Sequence, residues 1–425
     1  QDYNPVVHDG CVFLLHGRDV AMIDPSASDA RKAVRWKGML PPGLETSEFT
    51  NNRNWYMGLM GPARRAVGAL SGDGELLTIL SSKGAIGLDT RTGKARWGKT
   101  AKELGLSRDC LVSVGEGMGV LVEMQVGNCV AIDLADGKEL WNADPADRFP
   151  HVQAAPEIAF GTVIVRHSGN RGITCVHSRT GRKLKTFSGN LLQGIVTDDG
   201  FFIVMNNGAL SVYVAGQFEA PLWEANRYDR RKWPAILAAR HGLMLVSPQH
   251  NSGTVEVLSM LSGGQKIAEL SLPQGRYPAD AILDTTEGRA YVISSSQQNT
   301  GRKRYYGRWT MTRQGQLHRF DINSRRHVWA CPLNPARNSY GVPLTPVEGR
   351  DRLAVTMPQT IHNTETWHVV IEKDSGKLAA RFPAGKMDAR RTQGPRMFSL
   401  GPPAFVEDRM IVESVNDVKV FAPKN

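Results

Sequence analysis

Cysteine is scarce in this chain: five residues in 425, at Cys11, Cys110, Cys129, Cys175 and Cys331. None stands in a C-x-x-C or C-x-x-C-H arrangement, which excludes zinc-ribbon ligation and c-type haem attachment. An odd, scattered set also makes no disulfide framework, and Cys129 and Cys175 fall inside strand-like runs where a thiol packs as a small apolar group. Long apolar runs are missing, so nothing approaches the ~20 residues that a membrane-crossing helix needs. Helical periodicity is nearly absent. HExxH, GxSxG, P-loop and dinucleotide signatures are absent too, which removes the enzyme classes those motifs announce. His362 and His368 flank a short polar stretch with no ligand spacing.

What the chain has in excess is positive charge. Lysine and arginine number 52 against 41 acids, a formal net charge of +11. Such a surface favours anionic partners: nucleic acid, acidic polysaccharide, phospholipid or an acidic cofactor. The apolar fraction, 41%, is ordinary for a globular protein with a large core. The chain begins at Gln1 rather than methionine, and the expectation is a removed signal peptide and a periplasmic or secreted location.

The strongest pattern is a repeat. Gly84 to Trp97 reads GAIGLDTRTGKARW: a strand, a tight turn, and a strand ending in tryptophan. Cys129 to Trp141 and Ile173 to Lys185 repeat the arrangement, with turn glycines at Gly93, Gly137 and Gly181, each 44 residues from the next. A fixed period of this size signals a repeat architecture. Short apolar strands split by Gly, Asp, Asn and Ser clusters recur along the whole chain, at about four per unit. The turn aspartate bonds its own backbone, the glycine supplies positive φ, and the tryptophan offers a broad apolar face with one N–H donor. One unit cannot bury its own faces, but radial repetition can.

The Ala-x-Asp-x-x-x-Gly-Lys-x-x-Trp pattern resembles the PQQ-like (quinoprotein alcohol dehydrogenase-like) β-propeller family. Ala131, Asp133, Gly137, Lys138 and Trp141 carry the resemblance, as do Gly87, Asp89, Thr92, Gly93, Lys94 and Trp97. Asp321 and Trp329 keep the frame with Arg325 and Arg326 in place of Gly-Lys. The resemblance implies one all-β domain over residues 1–425, an eight-bladed propeller of four-stranded antiparallel blades with its ring closed by strands from both termini. Eight fourth-strand positions are expected, at Trp36, Trp97, Trp141, Lys185, Trp223, Ile267, Trp329 and Ala380, followed by a three-strand tail.

In such a ring the blade-to-blade connections share one end with the loops between second and third strands. Long segments of both kinds, at 38–64, 224–234, 296–314 and 383–402, are expected there, with shorter ones at 334–342 and 358–366. They are rich in arginine and aromatics. The first contributes Trp55 and Arg64, and the second Arg227, Tyr228, Arg230, Arg231 and Trp233. The third contributes Arg302, Arg304, Tyr305, Tyr306, Arg308 and Trp309. Arg337 and Tyr340 follow, then Arg390, Arg391 and Arg396, while His167, Asn206, Asn207 and His250 sit in shorter loops. Arginine bonds carboxylate, sulfate or phosphate in a bidentate fork, and aromatic faces stack on sugars or cations. The bland alternative is that these loops are solvated and their arginines brace neighbouring aromatics.

The expected function is non-catalytic: an extracytoplasmic module holding an anionic small molecule, an acidic polysaccharide or an envelope protein partner. The resemblance implies a rival, a PQQ- and calcium-dependent oxidoreductase acting on alcohols or sugars. The vicinal cysteines of many alcohol-oxidising members are missing, and no metal site is assigned. A third reading is an envelope protein-assembly scaffold. Nucleic acid is allowed by charge, but the resemblance argues against it.

Overall fold

The turn chemistry dictates the strand order. In the computed structural model each unit is an antiparallel meander of four strands, so its turns alternate between two ends. The structure describes residues 6–16, 18–27, 29–42, 44, 66–71, 74–107, 110–123, 126–143, 149, 152, 155–167, 172–189, 192–249, 251–296, 312–313, 315–333, 340–341, 347–357, 365–386, 404–406, 409–413 and 418–421. Eight four-stranded sheets span 6–39, 66–100, 110–142, 157–188, 193–226, 235–271, 277–332 and 347–386. These are the blades, numbered here 1 to 8. A ninth sheet, of three strands, spans 404–421. The one α-helix among the described residues is the single turn Ala30–Ala33.

The second strands are buried throughout, as Leu76–Ser81 and Met118–Glu123 show. Both their faces are covered by neighbouring blades, which is why they read as unbroken apolar runs. Core clusters fill the seams: Phe13, Leu15 and Val20 of blade 1 pack with Leu77, Ile79, Ile86 and Leu88 of blade 2.

The turn aspartates behave as expected. Asp89 Oδ1 accepts the backbone N–H groups of Arg91 and Thr92, at 3.1 and 2.9 Å. Hydrogen bonding by Arg96, then by Thr92, holds the Asp89 carboxyl down at about 2. Gly93, Gly137, Gly181 and Gly376 all have φ near +70°, between 68° and 71°.

The tryptophans stitch blade to blade. Each lies over the turn glycine of the next blade and donates its indole N–H to a carbonyl there. Trp36 reaches Thr90 O (2.7 Å), Trp97 reaches Ala135 O (3.1 Å) and Trp141 reaches Ser178 O (2.5 Å). Trp223 reaches Met260 O (2.5 Å) and Trp329 reaches Lys373 O (3.1 Å). A bulge aims them. In seven blades the register between third and fourth strands shifts by one residue beside this position, at pairs such as Gly87↔Trp97 and Ala131↔Trp141. A bulge increases local twist and redirects the side chain.

That register corrects one expectation. In blade 6 the residue at the bulge is Ala268, paired with Val257, and not Ile267. Ala268 is buried at 3%, whereas Ile267 is 41% exposed. With no indole available, this seam is stitched in reverse: Arg325 of blade 7 donates to Ile267 O at 3.2 Å. In blade 4, Lys185 stands in for tryptophan. Its ammonium donates to Phe218 O at 2.8 Å and lies over the Tyr213 and Phe187 rings.

A second line of stitches joins the turns between first and second strands. Glu116 accepts from Gly161 N at 3.0 Å, and Asp199 from Gly242 N at 2.7 Å. The ring closure expected from both termini is not among the observed pairings. Blade 1 takes all four strands from residues 6–39, and the tail strands pair only with one another among the described residues. Met410 of the tail packs on Ala354 and Val370 of blade 8.

Candidate functional site

The strand order gives each blade a turn end, with first–second and third–fourth connections, and a loop end, with all the others. Acids and bases pair at both ends. At the turn end, acids and bases neutralise one another: Arg96 with Asp89 (2.6 Å), Arg179 with Asp133 (3.6 Å), Arg289 with Asp374 (3.0 Å) and Lys373 with Glu348 (2.5 Å).

At the loop end, segment 224–234 is the best described. The outer strand of blade 5 runs to Asn226, further than expected, and Arg230–Lys232 form a 3-10 turn. Asp229 caps that turn, accepting from Arg231 N, and Trp233 ends it in the left-handed region at φ 55°. A left-handed bulky residue is held there only by its surroundings. Arg230 and Arg231 are exposed and form no ion pair among the described residues.

Arg227 and Tyr228, in the same segment, do different work. Tyr228 Oη donates to Glu256 Oε2 of blade 6 at 2.7 Å, and Arg227 lies 3.6 Å from the same oxygen. Arg227 also donates to Gly264 O at 2.7 Å. Burial, then the Glu256 hydrogen bond, pushes the Tyr228 phenol well up. These two residues brace blade 5 against blade 6, as the bland reading of the arginines has it.

Asn206, Asn207 and Gly208 form the tight hairpin of blade 5, with φ of 52° and 91° at Asn207 and Gly208. An Asn-Gly pair with two positive φ values suits a two-residue hairpin. The hairpin lies directly beneath segment 224–234, since Tyr228 N donates to Gly208 O at 3.1 Å. Asn206 Nδ2 donates to Ser188 O at 3.1 Å. His167 lies 2.8 Å from Thr174 Oγ1 across blade 4.

The structure also joins two of the expected loops. Thr312–Arg313, in the blade 7 insertion, pairs with Tyr340–Gly341, in the connection to blade 8. Trp55, Arg64, His250, Arg302, Arg304, Tyr305, Tyr306, Arg308, Trp309, Arg337, Arg390, Arg391 and Arg396 lie outside the described residues, as does the Tyr340 side chain.

Sequence reasoning missed the buried carboxylates at this end. Glu123 is fully buried and accepts from Ser107 N (2.6 Å) and Asn128 Nδ2 (2.6 Å). Glu256 gathers Tyr228, Arg227 and Lys266. A lone glutamate inside an apolar strand was the available signal, because such a group must be paired.

The resemblance implies PQQ and calcium, and calcium needs several oxygen ligands close together. Among the described residues no group of three or more His, Cys, Asp or Glu side chains could hold a metal ion. The carboxylates near this end are committed elsewhere, Glu157 to Arg166 at 2.6 Å among them.

Stitched four-stranded blades repeated in series define the class: an eight-bladed β-propeller. Within it, the chain belongs to the PQQ-like family described as "Outer membrane protein assembly factor BamB", whose profile matches residues 82–300, just over half the chain. Among solved structures it is similar to "Dihydro-heme d1 dehydrogenase NirN in complex with DHE", at 12% identity over 88% of this chain and 73% of that one, with TM-score 0.52. It is similar to apo AztD from Citrobacter koseri at 10% identity, 88% and 94% coverage and TM-score 0.47. A quinohemoprotein alcohol dehydrogenase from Pseudomonas putida matches at 11% identity, 80% and 68% coverage and TM-score 0.46. At these identities the likeness is one of fold alone. No curated protein sequence matches the chain. Among the described residues no helix is long and apolar enough to cross a membrane.

Proposed function

We propose that this propeller is a non-catalytic, extracytoplasmic binding module that holds an acidic polysaccharide or another polyanion at its loop end. One observation carries the reading: Arg230 and Arg231 are exposed on a capped turn with no carboxylate partner among the described residues. Guanidinium groups placed this way offer bidentate bonds to carboxylate or sulfate. Binding of heparin and polygalacturonate, followed across a salt series, tests this. The Arg230→Glu/Arg231→Glu variant should lose about ten-fold in affinity at unchanged melting temperature. Undiminished affinity for both polyanions sinks the reading.

The family profile favours a second reading, an envelope protein-assembly scaffold that binds a protein through the same end. A pull-down from envelope extract separates the two. Protein capture that survives excess heparin supports the scaffold over the polyanion module.

A further inference from the structure

The turn end holds one contact that skips a blade. Arg240 is the last residue of the inner strand Ala235–Arg240 of blade 6. Its Nε donates to Asp198 Oδ2 of blade 5 at 3.0 Å. Its Nη1 lies 3.5 Å from Glu348 Oε2. Glu348 is the last residue of the first strand of blade 8, Val347–Glu348. Every other blade-to-blade polar contact described above joins neighbours.

The inner strand of blade 7, Tyr277–Asp284, lies against that of blade 6. A side chain linking blade 6 to blade 8 therefore passes the end of blade 7 on the axial side, as a chord and not along the wall. The chord is anchored at both ends. Glu348 Oε1 accepts from Lys373 Nζ at 2.5 Å, and the Lys373 side chain is only 10% exposed. On the other side, His241 lies 4.0 Å from Asp198 and bonds Thr285 Oγ1 of blade 7 at 2.6 Å. Four blades thus share one polar network with the Arg240 guanidinium at its centre.

We propose that Arg240 is a latch across the turn end of the propeller, tying blades 5, 6 and 8 together. The latch is built from partly exposed charges, at 41% exposure for Arg240, 51% for Asp198 and 30% for Glu348, so salt weakens it. This inference stands apart from the polyanion reading, whose arginines are at the opposite end.

Hydrogen exchange by peptide mass spectrometry tests it on the whole chain, at low salt and at about 1 M salt. In the wild type, the inner strands 193–196, 235–240 and 277–284 should exchange about two- to ten-fold faster in high salt, as expected for a small surface charge network. Arg240→Gln should exchange fast at both salts and lose the salt response. The inner strand of blade 3, Cys110–Gly115, should not change in either case and serves as the internal control. Glu348→Gln breaks the chord from the other side and should reproduce the effect, which keeps the test decisive if Arg240→Gln fails to fold. Wild-type exchange in either folded variant at low salt, or equal acceleration in blade 3, overturns the latch.

Discussion

The Trp97 indole covers Gly137 of the next blade so closely that a Cβ on that glycine would sit 2.6 Å from the ring. Gly137 is also at φ 71°, so its lack of a side chain is required twice, once by the backbone and once by the indole. The same pairing joins Trp36 to Gly93, Trp141 to Gly181, Trp223 to Gly264 and Trp329 to Gly376. The repeat is therefore a seam motif: blades 2 and 3 each carry the tryptophan for one neighbour and the glycine for the other, and the other blades in these pairs carry one of the two.

The cost of unstitching a seam depends on how deeply its indole is buried. Trp141 is 8% exposed, and Trp141→Ala should lose about 3–5 kcal/mol in urea unfolding. Trp97 is only half-buried, and Trp97→Ala should lose about 2 kcal/mol. Equal losses at the two positions would show that burial does not set the cost.

Lys185 gives the seam between blades 4 and 5 a charge that no other indole position carries. Lys185→Met keeps the aliphatic stem but removes the bond to Phe218 O and the contact with the Tyr213 ring, 5.1 Å away. The loss should be about 1–2 kcal/mol by urea unfolding at neutral pH. An unchanged midpoint would mean that the stem alone holds the seam.

Two buried histidines set the acid limit of stability. Burial, then the neighbouring His327, lowers His318 to about 3, and burial lowers His368 to about 4. Both are fully buried, and His318 bonds Ser294 Oγ at 2.7 Å. In the unfolded chain each binds a proton near pH 6.5, so the unfolded state holds more protons below that value. Stability should be full above about pH 6.5 and fall on acidification towards pH 4, by up to about 1.4 kcal/mol per pH unit for each histidine. His318→Asn should flatten that slope by about half when unfolding is followed at several pH values. The paired carboxylates Asp24 and Asp89, both near 2, give way only at lower pH.

Blade boundaries were legible in the sequence because they rest on local chemistry. Asp89, Gly93 and Trp97 each do one job within a few residues, and the same types recur at a fixed period. The blade 6 seam was not legible: Ile267 and Ala268 are neighbours, and only the bulge register says which one faces the next blade. The reverse stitch from Arg325 depends on a partner 58 residues away. The split between bracing and exposed arginines was equally hidden, because Arg227 and Arg230 differ only in whether blade 6 brings Glu256 to meet them. Composition places arginines in a loop, but the fold decides which of them are already committed.

That split can be tested within five residues of chain. Tyr228→Phe removes a donor from Glu256, a mostly buried carboxylate, and should cost about 1–3 kcal/mol of stability while leaving polyanion affinity intact. Arg230→Glu/Arg231→Glu touches no described side-chain contact and should do the reverse, weakening heparin binding at an unchanged unfolding midpoint. The two readouts should separate because Tyr228 bonds Glu256 across the seam, while Arg230 and Arg231 are exposed on the capped turn. If Tyr228→Phe weakens binding as much as the arginine pair does, bracing and binding are one function. The anion would then be read by the seam itself.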